Sequence, residues 1–325
     1  MRAADQRALT AEREPERGLA PIRPGYKRLP GLWRDRYLYL FLLPAFGFFV
    51  LFKYVPYYGE LIAFKDFQIG RGIGGSSWVG FKHFRSLLTS DTFWQVFRNT
   101  LLLNAYKLLF VFPAPIVLAL MLNEVRNRAF KRTVQNLLYL PHFLSWVVLG
   151  GIVIAVLSPS TGIVNGLLAA LGIEPVYFMV HPVWWVVVFT AASIWQSAGW
   201  GTILYLAAMA NIDPPLYEAA KIDGAGKLRQ IWHITLPGIR PTIAILLILQ
   251  MGQMVDVGFE QVFNLQNNAV FGVSDVISTY VYRMGLLAAQ YSYSTAIGLF
   301  QGVIALVLML IVNKVIKKLG ENGLW

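Results

Sequence analysis

The side chains best suited to chemistry in this 325-residue sequence lie inside its long apolar segments. A polar group in such a segment is costly unless it faces a cavity or another helix. Carboxamides, hydroxyls and indoles bind sugars by hydrogen bonding and by stacking on aromatic faces. We therefore interpret the following residues as a predicted carbohydrate pathway, with interhelical hydrogen bonding as the alternative role of each: Asn104, Lys107, Ser145, Trp146, Trp195, Gln196, Gln250, Gln253, Asp256 and Gln301.

Lys107 is the cation of this set, and it lies inside the second apolar segment. A rise of about 1.5 Å per residue places it roughly 12 Å from the outer end of that segment. A lysine at this depth favours an anionic sugar if it faces water. The alternative is a structural ion pair with Asp256, because buried charges usually pair.

Catalytic chemistry is not supported by the residue types present. The four histidines, His83, His142, His181 and His233, do not stand at metal-ligand spacing, and the chain contains no cysteine. No paired acidic set or nucleophile with its base falls at one membrane depth, which disfavours a membrane-embedded enzyme. The phosphate-binding pattern G-x-x-x-x-G-K-[ST] is also missing, so ATP hydrolysis by this chain is not expected.

The composition is that of a membrane protein, with 56% hydrophobic and only 14% charged residues. Soluble domains average about a quarter charged residues. Lipid requires each spanning segment to satisfy its own backbone hydrogen bonds, so we predict an all-α membrane protein with six transmembrane helices. The predicted spans are Tyr37 to Val55, Thr100 to Leu122, Leu137 to Leu157, Val183 to Met209, Thr242 to Phe259 and Thr295 to Val312.

The positive charges are distributed unevenly between the two sides of these spans. Of the 28 Lys and Arg residues, 20 lie in segments 1–36, 123–136, 211–240 and 313–325. Only 6 lie in the alternating segments. Positive segments are retained in the cytoplasm, so both termini and the 211–240 loop are predicted to be cytoplasmic. This accounts for the net charge of +11 without nucleic acid.

The first 36 residues form a separate region before the predicted transmembrane domain at 37–325. They are polar, mixed in charge and interrupted by Pro15, Pro21, Pro24 and Pro30. We predict a largely disordered basic tail rather than a signal peptide, because the apolar run comes late and no small-residue cleavage pattern follows it.

The 211–240 loop contains a predicted short helix from Leu216 to Asp223. Asp213 is placed to cap it, Pro214 suits its first turn, and Gly224 can end it in the left-handed conformation. Leu216, Ala219 and Ala220 share one face, and the small alanines allow close approach. This pattern is typical of a docking surface.

The same loop carries a family signature: Glu218-Ala219-Ala220, Gly224, and then Ile234-x-Leu236-Pro237. This order resembles the loop of binding-protein-dependent importer permeases of the ATP-binding-cassette (ABC) class. Other runs resemble the polysaccharide and oligosaccharide branch of the sugar permeases, among them Trp78-Val79-Gly80, Tyr139-Leu140-Pro141-His142 and Gly258-Phe259-Glu260-Gln261.

The resemblance implies a type I importer permease fold in the bacterial inner membrane and a set of partners. These are a second homologous permease, two ATPase subunits that bind ATP and Mg, a solute-binding protein and an oligosaccharide, with no cofactor in this chain itself. The resemblance also implies a coupling helix seated in an ATPase cleft, where Glu218 pairs with a basic residue. The implied coupling residues are Leu216, Tyr217, Glu218, Ala219, Ala220, Asp223, Gly224 and Gly226.

Two questions stay open at this point. The first is the energy source, because an ion-coupled secondary transporter could use Asp256 as a proton carrier. The second is the charge of the substrate. Basic residues outside the spans are compatible with an acidic, alginate-like uronate oligosaccharide: Lys65, Lys82, Arg85, Arg98 and Arg283.

Overall fold

The computed structural model describes residues 36–318 and divides the chain into two units, Met1–Tyr57 and Tyr58–Trp325. The predicted tail lies outside the described residues except for Arg36, and so do residues 319–325. In the first unit, α1 (Arg36–Phe49) continues through a π-helical turn (Val50–Tyr54) into the short α2 (Val55–Tyr57). None of these residues is buried, which suits a helix surrounded by lipid or by a partner.

The described part of the second unit is helical apart from one small hairpin. In the hairpin, β1 (Lys65–Asp66) pairs antiparallel with β2 (Ser77–Trp78), and Lys65 lies opposite Trp78. The first helices are α3 (Gly72–Gly75), α4 (Lys82–Leu88), α5 (Asp91–Tyr106), α6 (Pro113–Glu124), α7 (Arg128–Tyr139), α8 (Trp146–Val156) and α9 (Ile163–Ala170). They are followed by α10 (Pro182–Ala210), α11 (Pro214–Ile222), α12 (Lys227–Gln230), α13 (Leu236–Gly252), α14 (Phe259–Leu265), α15 (Phe271–Ser274), α16 (Ile277–Val281) and α17 (Tyr291–Lys318).

Shorter helical turns join these elements. Turns of 3₁₀ type span Tyr58–Phe64, Ile69–Arg71, Leu140–Phe143 and Asn268–Val270. Further π-helical turns span Lys107–Val111, Ile231–Thr235 and Tyr282–Leu287.

Four helices in the described part of the chain are long and apolar enough to cross a membrane: Arg36–Phe64, Asp91–Glu124, Lys227–Gly252 and Tyr291–Lys318. A fifth results if Arg128–Phe143 and Trp146–Val156 form one span bent by 106°. The predicted segment from Val183 to Met209 is the 29-residue helix α10. It is not among these spans, because Gln196, several hydroxyl side chains and four tryptophans lower its mean hydropathy.

Two predicted spans have the wrong shape. Leu137 to Leu157 is not one helix, because α7 ends at Tyr139 and α8 begins only at Trp146. Pro141 and the hydroxyl of Ser145, which accepts a hydrogen bond from Val148 N at 3.5 Å, favour this break. The predicted segment from Thr242 to Phe259 is also wrong, because α13 ends at Gly252 and a turn follows.

Among the described residues, three of the four π-helical turns stand in a fixed relation to proline. They end at Tyr54, Val111 and Thr235, two residues before Pro56, Pro113 and Pro237 respectively. A proline ring clashes with the carbonyl four residues earlier in an α-helix. That carbonyl lies inside the wider π turn each time, and the helix continues. Pro237 and Pro241 therefore do not break the helix, since α13 runs through both.

The helix α10 lies at the centre of the packing. Trp185 and Phe189 are fully buried and stacked, and the Trp185 indole donates to the Leu265 carbonyl at 2.8 Å. A Cβ at Gly199 would lie 2.0 Å from the carbonyl oxygen of Leu138, and one at Gly201 would lie 2.8 Å from Pro115 Cβ. The two glycines therefore allow α10 to pack closely against α7 and α6.

Candidate functional site

A cavity of about 710 Å³, here called the polar cavity, is bordered by α5 and the following π turn, by α10, and by α13 with the turn after it. It brings together seven of the predicted pathway residues: Asn104, Lys107, Trp146, Gln196, Gln250, Gln253 and Asp256. Their use by a substrate stays a prediction. Ser145 and Trp195 do not line the cavity. Ser145 caps α8, and the side chain of Trp195 is 44% exposed on the surface of the chain.

Lys107 begins the π turn Lys107–Val111. Its Nζ donates to the Val257 carbonyl at 2.6 Å and lies 5.0 Å from the centroid of the Phe189 ring. Asp256 is close enough to attract this ammonium, and Asp256 Oδ1 also accepts a hydrogen bond from Gly258 N at 2.9 Å. Lys107 therefore has structural partners and also lines the cavity, where its use by an anionic sugar stays a prediction.

The turn that carries Asp256 depends on Gly258, whose φ is +91°. Residues with a Cβ are strained in that region, whereas glycine adopts it freely. The chain reverses there and starts α14, which brings Glu260 and Gln261 to the cavity wall.

The structure adds lining residues that sequence reasoning missed, including Ser193, Ser197, Tyr205, Glu260 and Gln261. Gln261 is only 2% exposed, and its Nε2 donates to Ser193 Oγ at 2.7 Å and to the Phe189 carbonyl at 3.0 Å. Ser193 and Ser197 are four residues apart on one face of α10, and Gln196 lies between them in the sequence. This spacing could have predicted that both serines line the cavity. Gln261 is 68 residues from Ser193, so spacing alone could not place it.

The predicted short helix of the 211–240 loop is confirmed as α11, Pro214–Ile222. It ends in a Schellman arrangement, in which Ala225 N donates to Ala220 O at 2.8 Å and Gly224 N donates to Lys221 O at 3.1 Å. Gly224 has φ +75°, as the predicted left-handed end requires. Asp213 occupies the cap position, but its side chain makes no capping hydrogen bond.

Three polar contacts hold the 211–240 loop in place. Tyr217 Oη lies 3.0 Å from Thr235 Oγ1 in the π turn before α13. Gln230 Nε2 donates to the Ala225 carbonyl at 2.8 Å. Lys227 Nζ lies 2.6 Å from a carboxylate oxygen of Glu124 at the end of α6.

The opposite face of the loop is open. Glu218, Ala219, Asp223, Gly224 and Gly226 are exposed, and Ala220 is half-buried. Large apolar side chains surround them without cover: Leu216, Ile222, Leu228 and Trp232. Most of the predicted coupling residues therefore lie on one exposed surface whose apolar content suits a protein partner.

Three of the five basic residues considered for an acidic substrate have partners in this chain. Arg283 makes a bidentate ion pair with the buried Asp275, at 3.1 and 2.7 Å. Lys65 Nζ donates to the Ile73 carbonyl at 2.7 Å, and Lys82 lies 3.5 Å from Asp66. Arg283 therefore has a structural partner, and its compatibility with an acidic substrate stays a prediction.

Comparison with known proteins gives consistent matches. Polygalacturonan/rhamnogalacturonan transport system permease protein YteP of Bacillus subtilis (strain 168) is 48% identical over 294 residues, which cover 90% of this chain and 92% of YteP. Protein LplB of the same organism is 45% identical over 301 residues, covering 93% of this chain and 95% of LplB.

A solved structure matches over almost the same length. It is the crystal structure of a bacterial alginate ABC transporter in complex with an alginate pentasaccharide-bound periplasmic protein. One of its chains superposes with a TM-score of 0.84 at 42% identity, covering 90% of this chain and 98% of that chain. This match confirms the predicted all-α permease fold.

Residues 111–320 match the family described as the binding-protein-dependent transport system inner membrane component. This region is more than half of the chain and includes both the polar cavity and the 211–240 loop, except for Asn104 and Lys107. The chain therefore belongs to the family of inner membrane components of binding-protein-dependent transport systems.

Proposed function

We propose that this chain is one of two permease subunits of an ABC importer that carries an oligosaccharide containing acidic units across the bacterial inner membrane. In this proposal α10 completes six spans and both termini are cytoplasmic. A solute-binding protein delivers the sugar, and two partner ATPases that bind ATP and Mg supply the energy.

The observation that carries the proposal is a physical connection between the loop and the cavity. The helix from Lys227 to Gly252 is continuous through its π turn. It starts beside α11, where Thr235 meets Tyr217, and it reaches the polar cavity at Leu246, Leu249 and Gln250. A displacement of α11 can therefore be transmitted to the cavity wall by one rigid element.

The role of α11 follows from its exposed surface. Glu218 is exposed and can pair with a basic side chain of an ATPase, while Ala219 allows close seating. Closure of the ATPases would then shift the permease between inward-facing and outward-facing states, because the two states offer them different contacts.

The substrate class is supported by the cavity and by the relatives. Amides, hydroxyls, an indole and one lysine line the cavity together with the carboxylates of Asp256 and Glu260. The amides, hydroxyls and indole suit the hydroxyls and ring faces of a sugar, and the lysine suits a sugar carboxylate. The printed names of a relative and of a solved structure refer to polygalacturonan, rhamnogalacturonan and alginate.

The test uses the assembled transporter in proteoliposomes, with ATP hydrolysis and labelled oligouronate uptake measured together. The substrate-loaded binding protein should stimulate both activities, and Glu218→Ala should lower both at least about tenfold, the effect of about 1.4 kcal/mol. Uptake by the chain alone, driven by an ion gradient without ATP, would instead support a secondary transporter. Wild-type coupling in Glu218→Ala would contradict the role of α11.

A further inference from the structure

Four basic residues, here called the basic patch, lie close together between the end of α6 and the middle of α7: Arg126, Arg128, Lys131 and Arg132. No Asp or Glu occurs between positions 125 and 173, so the sequence supplies no acidic residue beside them. Lys131 is half-buried, and the three arginines are exposed. Within residues 36–318 none of the four forms an ion pair, whereas the preceding Glu124 pairs with Lys227.

The basic patch begins close to the end of a membrane span. The helix Asp91–Glu124 is long and apolar enough to cross the membrane, and α7 starts at Arg128, four residues after its end. Four residues of extended chain reach at most about 14 Å. The first turn of α7 therefore lies near the membrane surface, on the side predicted to be cytoplasmic.

One face of α7 is apolar and exposed. Phe130, Val134 and Leu137 recur at the spacing that places them on one side of a helix. Phe130 and Leu137 are 58% and 65% exposed. The backbone of Leu138, the next residue, instead lies against Gly199 of α10. The helix α7 therefore packs on the bundle along one side and presents Phe130 and Leu137 outward.

The order of these residues favours a lipid over a protein as the occupant. The cations of α7 are confined to its first half, and exposed apolar side chains continue past its end at Leu140 and Phe143. This order matches one leaflet of a bilayer, in which the headgroups lie outside the acyl chains. Guanidinium groups bind phosphate through two parallel hydrogen bonds, and four or more Lys and Arg beside a span are typical of binding to anionic lipids.

We propose that the basic patch and the exposed apolar face of α7 together bind an anionic phospholipid. The phosphodiester lies at the cations, and the acyl chains lie along Phe130 and Leu137. The inference goes beyond the proposed function, since it depends neither on the sugar nor on ATP. It has a consequence for transport, because α7 leads through the turn at Pro141 to Trp146, which lines the polar cavity.

The experiment labels the assembled transporter with a photoreactive phosphatidylglycerol, present in trace amount in phosphatidylcholine vesicles. Mass spectrometry then locates the labelled peptides. The label should concentrate in residues 128–143. Unlabelled phosphatidylglycerol should compete for this label, whereas millimolar inorganic phosphate should not, because it lacks the acyl chains that contact Phe130 and Leu137.

Paired substitutions test the cations. Each cation beside an anionic surface raises lipid affinity about fivefold, so Arg128→Gln with Arg132→Gln should lower the labelling of residues 128–143 about 25-fold. Arg128→Lys with Arg132→Lys keeps the charge and should retain most of the label. Lys317→Gln with Lys318→Gln is the matched control, since it removes two exposed cations at the end of α17 and should leave the label unchanged. The yield of complex with the ATPases reports assembly of each variant.

Sugar uptake provides a second measurement. In wild type, the rate of ATP-dependent uptake should rise as phosphatidylglycerol replaces phosphatidylcholine in the vesicles. The glutamine pair should lose this rise, and the lysine pair should keep it. An equal rise in the glutamine pair would contradict a role of the basic patch in the lipid response.

The remaining outcomes are equally specific. Label spread evenly over the apolar spans, unchanged labelling in the glutamine pair, or loss of label with inorganic phosphate would overturn the lipid site. A glutamine pair that keeps its label but loses the ATPases would overturn it in favour of a protein partner. None of these results would contradict the proposed importer, because labelling is measured without sugar or ATP. Failure of the importer would appear as a wild-type complex that takes up no oligouronate in either lipid.

Discussion

Tyr217 on α11 and Thr235 in the π turn before α13 form a hydrogen bond of 3.0 Å across 18 residues. Thr235 is only 1% exposed, so this contact is held inside the protein although α11 itself is on the surface. It joins the exposed docking helix to the span that reaches the polar cavity. Its removal should therefore affect coupling more than assembly.

Tyr217→Phe removes the hydroxyl and keeps the ring. We expect a loss of about 1 kcal/mol in local stability, because Thr235 loses a partner at a buried site. The number of sugars transported per ATP hydrolysed should fall severalfold, as measured in proteoliposomes. Tyr177→Phe is the control, since Tyr177 is 61% exposed and lies outside the loop. An unchanged ratio of transport to hydrolysis in Tyr217→Phe would contradict the coupling role.

Gly224→Ala should destabilise the end of α11 by about 1–2 kcal/mol, because φ is +75° there and a Cβ disfavours this conformation. Gly226→Ala is the matched comparison, since φ at Gly226 is −68° and its Cβ position is open. Hydrogen exchange of the backbone amides at positions 224 and 225 should accelerate in Gly224→Ala and not in Gly226→Ala. Equal exchange rates in both variants would show that the left-handed conformation at Gly224 does not stabilise the end of α11.

Gly199→Ala should be strongly destabilising, by at least about 2 kcal/mol, since the new methyl group would meet the backbone of Leu138. Backbone atoms cannot move aside as a flexible side chain can. Gly151→Ala is a suitable control because its Cβ position is open within α8, where alanine favours the helix. The melting temperatures of both variants in detergent test this prediction. Similar melting temperatures would contradict close packing of α10 against α7 at Gly199.

Arg283→Ala should cost about 3–5 kcal/mol, because it leaves the carboxylate of Asp275 buried without its counter-charge. Asp275 is 3% exposed, and Thr279 Oγ1 donates to it at 2.9 Å. Lys82→Ala removes an exposed ion pair and should change stability by less than about 1 kcal/mol. Thermal unfolding separates the two variants. A stable Arg283→Ala protein with impaired sugar uptake would support a substrate role for Arg283.

Local patterns predicted the elements whose determinants are close together in the sequence. The ends of α10 agree within one residue with the predicted segment from Val183 to Met209. The helix α11 and its glycine end were also predicted, because caps, proline and glycine act within a few residues. Seven predicted polar residues meet in one cavity because polar groups within apolar segments are steered away from lipid.

The remaining features depend on contacts that spacing does not encode. Apolar composition does not distinguish one helix from two that meet at 106°, so the region around Pro141 was predicted as part of one span from Leu137 to Leu157. The Gln261–Ser193 network joins distant residues. The ion pair between Arg283 and Asp275 was not predicted, because the burial of Asp275 is visible only in the folded chain.

Docking of α11 onto an ATPase on the cytoplasmic side can be tested most directly by cross-linking. The sequence contains no cysteine, so Ala219→Cys provides a single thiol on the exposed surface of α11. A thiol-to-amine cross-linker applied to inverted membrane vesicles should join this residue to an ATPase subunit. Ser160→Cys, on a predicted outer segment, should give no such product. Labelling of Ala219→Cys from the outside, or a cross-linked product without an ATPase, would contradict docking of α11 onto an ATPase.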